Sequence, residues 1–275
     1  MQLAILGTGS SGNCAVVTTD STTLLVDVGL SARQTVEGLD LLGLKLDDLD
    51  GILLTHEHQD HIRGLEGLSR FRALPLFCTG PTQEYLLRNL HFRTPPAWNL
   101  IQTASIIEYR DLQIENFPVT HDAVDPVGYV LTSAKARLGI LTDLGTISES
   151  IRDRLRGSTA LFVEANYDPQ LLEADTKRPW TTKQRIASHY GHLSNDQAAE
   201  LVGEIAHPEL KTVVLGHLSE DCNSPELAVN RMRGALEATD AQNVQLICAN
   251  RYKPTIKIDL SPKSGTTQRR SGFHT

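Results

Sequence analysis

The chain has 275 residues, a formal net charge of -7, 40% hydrophobic residues and 21% charged residues. Its length allows a large buried core in one domain or two fused halves. The negative charge excludes a global attraction to nucleic acid. Four scattered cysteines, a first segment unlike a signal peptide and short apolar runs argue against a disulfide framework, secretion and a membrane span. We therefore expect a cytoplasmic protein with reduced thiols.

The first half of the chain is predicted to mix strands with helices. Strands are predicted at 3–6, 15–19, 23–28, around 52–54 and at 75–78, and the second and third form a hairpin. Helices are predicted at 31–42, with Ser31 as the N-cap, at 62–71, and at 81–90, with proline in the first turn.

The second half repeats this order. Strands are predicted at 105–109, 112–118, 128–132, 137–142, 160–164, 212–216 and 244–248, and helices at 151–155, 195–206 (capped by Ser194) and 225–238. Strand-rich and helical segments thus alternate twice, which predicts an α/β (α+β) fold with two sheets covered by outer helices. We predict one domain over 1–260 and a flexible tail over 261–275.

The segment from Gly51 to His61 holds an unusual density of ligand-type residues. An apolar run is followed within a few positions by His56, Glu57, His58, Asp60 and His61. Folding does not require such a cluster, whereas imidazole and carboxylate are ligands suited to zinc, manganese and iron. The pattern predicts a metal site in the loop after a strand.

Three later strands end in the same way, because His121, Asp143 and His217 each follow an apolar run. A lone histidine at such a position is more often an ordinary surface or core residue, but the repeated pattern favours metal ligands. The set divides into two candidate sites, one formed by His56, His58 and His121 and the other by Asp60, His61 and His217. Asp143 can bridge them, since one carboxylate has two oxygens.

A glycine-rich segment near the N-terminus, Gly7 to Gly12, matches the G-x-G-x-x-G pattern of dinucleotide-binding proteins. That motif opens a helix, whereas strand-forming residues follow here. We interpret the segment as a turn whose backbone passes close to the metal-bound substrate, with Ser10 and Asn13 as substrate-binding candidates. Asp27 ends a buried strand, where an acid is costly unless hydrogen-bonded, so we expect it to brace the histidine loop.

These residues together resemble the metallo-β-lactamase superfamily. Its His-x-His-x-Asp-His signature stands at 56–61, and Asp27, His121, Asp143 and His217 match the other characteristic positions. Motifs at 7–13, 121–126, 191–195 and 216–221 resemble the WalJ/YycJ-like subgroup of bacterial phosphodiesterases, so the resemblance covers most of the chain. It implies a four-layer αββα sandwich, two divalent metal ions (zinc, manganese or iron) at one edge, and DNA exonuclease activity.

The resemblance also implies a catalytic pair. The segment around His192 is similar to one that carries a non-ligand histidine in the tRNA 3′-processing ribonuclease Z branch, and Glu164 stands at the place of that branch's acid. His192 is then the general acid, Glu164 orients it, a metal-bridging hydroxide is the nucleophile, and Asp60 belongs to the catalytic set as well as the ligands. Two alternatives stay open, in which His192 is an ordinary surface-loop residue and Glu164 is a solvated strand end.

A basic segment at 177–185 lies just before His192 and contains four cations and one tryptophan. Lys177, Arg178 and Lys183 are candidates for holding phosphates, while Trp180 would stack on a base. A solvated helix start with Trp180 packed against the core is an equally open interpretation.

The expected partner is a nucleic-acid substrate, DNA rather than RNA, with no membrane and with the oligomeric state left open. Two other functions remain. One is a small-molecule hydrolase of the same superfamily that acts on a thioester, lactone or cyclic phosphodiester. The other is a non-catalytic binding module, against which the complete ligand set argues.

Overall fold

A computed structural model of the chain describes residues 1–241, 243–251 and 253–261. In this part the strands are β1 (Gln2–Gly7), β2 (Cys14–Thr18), β3 (Thr23–Val26), β4 (Gly51–Leu53), β5 (Pro75–Cys78), β6 (Ala97–Leu100), β7 (Ile106–Tyr109), β8 (Leu112–Pro118), β9 (Val127–Thr132), β10 (Arg137–Leu141), β11 (Ala160–Glu164), β12 (Thr212–Gly216), β13 (Gln245–Cys248) and β14 (Ile258–Asp259). They form two mixed sheets, ordered β14-β1-β2-β3-β4-β5-β6 and β13-β12-β11-β10-β9-β8-β7.

The helices are α1 (Ala32–Leu41), α2 (Gln59–Ile62), α3 (Leu65–Leu68), α4 (Gly80–Asn89), α5 (Glu149–Leu155), α6 (Pro169–Ala174), α7 (Trp180–Ile186), α8 (Asn195–Ile205) and α9 (Pro225–Glu237), with a 3-10 turn at Leu46–Asp48. Ser31 and Ser194 cap α1 and α8 as predicted, each in a capping box with a glutamine three residues on. Such a box satisfies two backbone donors that the helix leaves free at its start.

The two sheets pack face to face because their strands are apolar on both sides. In β3, Leu24 and Val26 belong to the core between the sheets, whereas Leu25 faces the core under α1, α3 and α4. A third core joins the second sheet to α5, α8 and α9. Three apolar layers between four layers of secondary structure make the αββα sandwich that the sequence predicts.

Parallel strands at the centre of each sheet carry their carboxyl ends to one edge. β3 and β4 are parallel, with Val26 opposite Leu53. β10, β11 and β12 are also parallel, with Glu164 opposite Gly216. The loops that leave these strands therefore meet at one edge of the sandwich.

The predicted helix over 62–71 is wrong. The chain forms two four-residue helices instead, and the first begins at Gln59, so that Asp60 and His61 lie on it. Gly64 separates them because it packs tightly on the preceding segment: its N–H donates to the Val28 carbonyl, and an added Cβ would lie 2.3 Å from the Leu30 carbonyl oxygen.

The elements that escaped prediction are β6, β14, α6 and the 3-10 turn, whereas α7 lies in the basic segment, where a helix start was one interpretation. For α6 a signal was present, since Asp168 caps the helix and Pro169 occupies its first turn. The strand β6 follows two prolines and is only partly buried, which removes the period-two pattern that marks a strand.

Composition predicts that the chain has reduced cysteines, a flexible tail and no membrane span. Within the described residues, no helix has both the length and the apolar character needed to cross a membrane. The four cysteines are free thiols. The predicted tail at 261–275 lies outside the described residues except for Ser261.

A hydrogen bond between the sheets predicts a stability effect. The fully buried Tyr129 on β9 donates its hydroxyl to the Leu54 carbonyl at 2.7 Å. Tyr129→Phe leaves that carbonyl without this partner and should lower the free energy of unfolding by about 1–2 kcal/mol in chemical denaturation. Among the described residues, the hydroxyl of the half-buried Tyr85 makes no such bond between sheets, so Tyr85→Phe should change stability by less than about 0.5 kcal/mol. Equal effects of the two changes would contradict the assignment.

Candidate metal centre and active site

The seven ligand-type residues predicted from the sequence meet at the shared edge of the sandwich. They form a first ligand group, His56, His58 and His121, and a second ligand group, Asp60, His61, Asp143 and His217. Within each group the potential ligand atoms lie within 4.8 Å of one another. The first sheet supplies the residues at 56–61, and the second sheet supplies the other three.

Asp143 lies between the two ligand groups. Its Oδ2 is 2.6 Å from His61 Nε2 in the second group and 3.4 Å from His56 Nε2 in the first. One carboxylate thus faces nitrogens of both groups, which is the position the sequence analysis predicts for a bridging ligand. Burial raises the pKa of Asp143, but His217 and His61 outweigh it and hold the pKa well below its ordinary value.

Hydrogen bonds fix which ring nitrogen two of the histidines present. His61 Nδ1 donates to Asp27 Oδ2 at 2.8 Å, and His121 Nδ1 donates to the Gly191 carbonyl at 3.0 Å. Since these oxygens can only accept, the Nδ1 of each ring carries a hydrogen and Nε2 is left as the free base in the neutral ring. This is how outer hydrogen bonds orient histidine ligands toward a metal.

Asp27 links two parts of the histidine loop, and its side chain is buried. Its Oδ1 accepts from the Thr55 N–H at 2.8 Å, while its Oδ2 accepts from His61. The Thr55 hydroxyl donates to Asp27 and also lies 3.0 Å from His56 Nδ1. Asp27 therefore contacts one ligand-type histidine directly and a second through Thr55.

Three of these residues leave their strands in a left-handed backbone conformation. The φ angles are 59° at Asp27, 51° at Asp143 and 55° at His217. Aspartate and histidine tolerate this region better than most residues, and such conformations gather at functional sites. The turn also lets the chain double back: a Cβ on Gly29 would lie 1.6 Å from the Asp60 carbonyl oxygen, so only glycine fits there.

Glu164 is fully buried and connects His192 to the ligand groups. Its Oε1 accepts from His192 Nδ1 at 2.6 Å and from His217 Nδ1 at 2.9 Å, and its Oε2 accepts from the N–H groups of Leu144 and Leu193 at 3.2 and 3.3 Å. Burial lowers the pKa of His192, but Glu164 outweighs it and raises the pKa to about 9. The other ring nitrogen of His192, Nε2, takes no part in these hydrogen bonds.

The donor atoms fit divalent metal ions. His56 Nε2 and His217 Nε2 are buried and make no hydrogen bond with the described residues. The His217 nitrogen lies 3.5 Å from Asp60 Oδ2. Buried polar atoms are rarely left without a partner, and imidazole nitrogens facing carboxylates form the usual donor set for such ions. The two ligand groups are therefore suited to divalent metal ions.

A cavity of about 240 Å³ opens over both ligand groups. Of the substrate-binding candidates, Ser10 and Arg178 line it. Asn13 does not: it is buried, and its amide nitrogen lies 3.3 Å from Asp60 Oδ2 and 3.0 Å from His61 Nε2. Asn13 therefore contacts two members of the second ligand group directly.

The other three candidates lie away from the cavity lining. Lys177 pairs with Asp221, and Lys183 donates to two carbonyls at the end of α6, those of Glu173 and Asp175, at 2.7 and 2.8 Å. Trp180 is 65% exposed, so the interpretation that packs it against the core is wrong. Their contact with substrate stays a prediction.

Several residues at the site escaped the sequence analysis. Asn166 lines the cavity and donates to the His217 carbonyl at 2.9 Å, and the Asp122 carbonyl accepts from His58 Nε2 at 3.2 Å. Thr182, Arg185 and Ser219 also line the cavity. A signal existed for two of them, since Asp122 follows His121 and Asn166 follows the strand that ends at Glu164.

Comparisons with known proteins find related sequences and a related fold. Residues 22–218 match the model of a β-lactamase superfamily domain. The chain is 35% identical over 241 residues to exodeoxyribonuclease YycJ of Bacillus anthracis, an alignment that covers 86% of this chain and 89% of that protein. It is 34% identical over 239 residues to exodeoxyribonuclease WalJ of Streptococcus pneumoniae, covering 86% and 88%.

The solved structure of Zn²⁺-bound PqqB from Methylobacterium extorquens has the same fold. It superposes with a TM-score of 0.70 at 16% sequence identity, and the match covers 93% of this chain and 99% of that chain. At this level of identity the likeness extends to the fold alone.

The contact between Asp27 and His61 predicts an effect on metal affinity. Asp27→Asn replaces an acceptor with an amide that can turn a donor toward His61 Nδ1, so the ring loses its fixed orientation. We expect metal affinity to fall by about 10- to 100-fold in titrations against a chelator. Asp111 is a matched control, because it also accepts from threonine hydroxyls but lies outside the ligand groups. Asp111→Asn should leave the affinity unchanged, and an unchanged affinity in Asp27→Asn would refute the bracing role.

Proposed function

We propose a phosphodiesterase function from the premise that this chain belongs to the metallo-β-lactamase superfamily. The observation that carries it is the pair formed by His192 and Glu164, 2.6 Å apart, beside two ligand groups with Asp143 between them. A proton donor at the edge of a metal centre is what the departure of an alkoxide from phosphorus requires. The relatives named exodeoxyribonuclease support DNA as the substrate and exonuclease action as the reaction.

The proposed cofactor is a pair of divalent ions, zinc, manganese or iron. His56, His58 and His121 would hold one ion, Asp60, His61 and His217 the other, and Asp143 both. When bound, two such ions lower the pKa of a shared water and stabilise negative charge on phosphate oxygens.

The charge of this donor set favours an anionic substrate. Its two carboxylates, Asp60 and Asp143, carry -2 in total, against +4 from two divalent ions, which leaves the pocket positive in a chain of net charge -7. The five histidines contribute no charge when neutral. A phosphodiester is therefore attracted by the pocket and not by the protein as a whole.

His192 has the role of general acid in this proposal. With Nδ1–H donated to Glu164, its Nε2 is free to hold the proton that passes to the leaving oxygen. Glu164 stabilises the charged imidazolium and keeps the ring in one orientation, and the same carboxylate holds His217. Asp60 accepts from the Asn13 amide at 3.3 Å, and its proposed catalytic contribution is as a member of the second ligand group.

His192→Ala removes the proposed proton donor and should lower kcat by about 10²- to 10⁴-fold. Metal content measured by elemental analysis should stay at the wild-type level, because His192 is assigned no metal. His189 is the matched control, an exposed histidine three residues earlier whose Nδ1 lies 3.0 Å from the Thr146 hydroxyl. His189→Ala should keep wild-type turnover. Loss of metal in His192→Ala would show that His192 is a ligand.

Removal and return of metal tests the proposed reaction directly. Metal-free protein should be inactive, and activity should return with at least one of zinc, manganese and iron. The substrates are 5′- and 3′-labelled single- and double-stranded DNA, RNA of the same sequence, bis-p-nitrophenyl phosphate and a thioester. Stepwise loss of terminal nucleotides from DNA is the expected result. Turnover of the thioester alone would instead establish a small-molecule hydrolase.

A further inference from the structure

We propose that Arg185 binds the substrate phosphate next to the one being cleaved, and so selects polymeric substrates over isolated phosphodiesters. The inference rests on the proposed function and names the group that would read a second phosphate. It differs from the prediction that Lys177, Arg178 and Lys183 hold phosphates, because these three side chains already have partners within the protein.

Helix α7 turns one side toward the cavity. Thr182, Arg185 and Ile186 line it, at the spacing of three and four residues that places side chains on one helix face. Trp180 and Lys183 belong to the other side, where the Lys183 ammonium lies 5.9 Å from the centre of the Trp180 ring. Of the cations on α7, Arg185 is therefore the one directed at the metal centre.

The guanidinium of Arg185 retains donors for a ligand. Its Nε donates to Asp122 Oδ2 at 2.5 Å, and its side chain is 63% exposed. Its Nη1 and Nη2 make no hydrogen bond or ion pair with the described residues. Two parallel N–H donors match a phosphate, which guanidinium groups bind in a forked geometry.

A single carboxylate separates this guanidinium from the first ligand group. Asp122 Oδ1 lies 3.4 Å from His121 Nε2, and the Asp122 carbonyl holds His58. Arg185 is therefore fixed beside the metal centre without being part of it. A strand with one phosphate at the ligand groups would bring the next phosphate toward Arg185.

Arg178 also lines the cavity, but it is already neutralised. Its Nη1 donates to Asp175 at 2.9 Å, and its Nη2 lies 3.1 Å from Asp221. With two acid partners and a 25% exposed side chain, it joins the segment before α7 to Asp221 and has little charge left for a phosphate.

The backbone keeps α7 in a constant position relative to His192. The His192 N–H donates to the Ile186 carbonyl at 2.9 Å. The chain passes so close here that a Cβ on Gly191 would lie 2.2 Å from the carbonyl oxygens of Arg185 and Ile186. The phosphate-binding group and the proposed proton donor are thus placed by the same short segment, which suits recognition of two points on one strand.

The test is the salt dependence of binding to a fluorescein-labelled single-stranded DNA oligonucleotide. Anisotropy is measured with the metal-loaded protein in a His192→Ala background that slows turnover, over about 50 to 300 mM KCl. Arg185→Ala should raise Kd by about two- to fivefold. The plot of the logarithm of the association constant against the logarithm of the salt concentration should become shallower by about 0.7, the slope for one phosphate contact on a single strand. Arg185→Lys should restore the slope, since it keeps the charge.

Arg231 is the matched control. It pairs through Nε with Asp196 as Arg185 does with Asp122, and its side chain is similarly exposed, at 53%, but it lies outside the cavity lining. Arg231→Ala should bind the oligonucleotide as the parent protein does. A parental Kd and slope in Arg185→Ala would overturn the inference.

Wild-type hydrolysis of bis-p-nitrophenyl phosphate separates this failure from failure of the proposed function. If wild-type protein cleaves that compound while Arg185→Ala binds DNA normally, only the role of Arg185 is lost. If metal-loaded wild-type protein cleaves no phosphodiester, the proposed function itself fails.

Discussion

The buried carboxylate of Glu164 is the constraint on which the active-site edge depends. A carboxylate without exposure to water is costly unless its lone pairs are satisfied. Here two imidazoles and two backbone N–H groups, from Leu144, Leu193, His192 and His217, satisfy them. Three separate segments must therefore meet the end of β11. The same contacts that remove the cost of burial also fix the orientation of His192 and His217.

Asp27 plays the equivalent part in the first sheet. It follows a parallel strand, as Glu164 ends one, and it holds His61 and Thr55 as Glu164 holds its histidines. Each sheet thus brings its own buried acid to orient its own share of the ligand-type residues. The two halves meet where Asp143 of the second sheet lies 2.6 Å from His61. The site consequently depends on the packing of sheet against sheet, to which the bond from Tyr129 to Leu54 contributes.

The sequence predicts those features of the fold and of the site that a regular residue pattern or a type of side chain determines. Apolar runs give the central strands, and because parallel strands end at one edge, the polar residues after them could be grouped into two ligand sets. Features set by backbone contacts escape such reasoning. The start of α2 at Gln59 depends on hydrogen bonds that the backbone N–H groups of residues 13 and 28 donate to carbonyls of this helix. His58 is held by the backbone carbonyl of Asp122, a group that every residue has. The pairing of His192 with Glu164 came from family resemblance, because a contact across 28 residues leaves no local pattern.

The basic segment shows why charge counted along a sequence is a poor guide to a substrate site. Its four cations have acids or carbonyls as partners: Lys177 and Arg178 share Asp221, Arg178 also holds Asp175, Lys183 binds the end of α6, and Arg185 holds Asp122. Most of the cations of this segment therefore make contacts that hold the wall of the cavity in place. Bound divalent ions would attract an anion, and among the described residues the Nη1 and Nη2 donors of Arg185 have no partner. The proposed selectivity for a polyanion in a chain of net charge -7 then follows from the position of a few groups and not from their number.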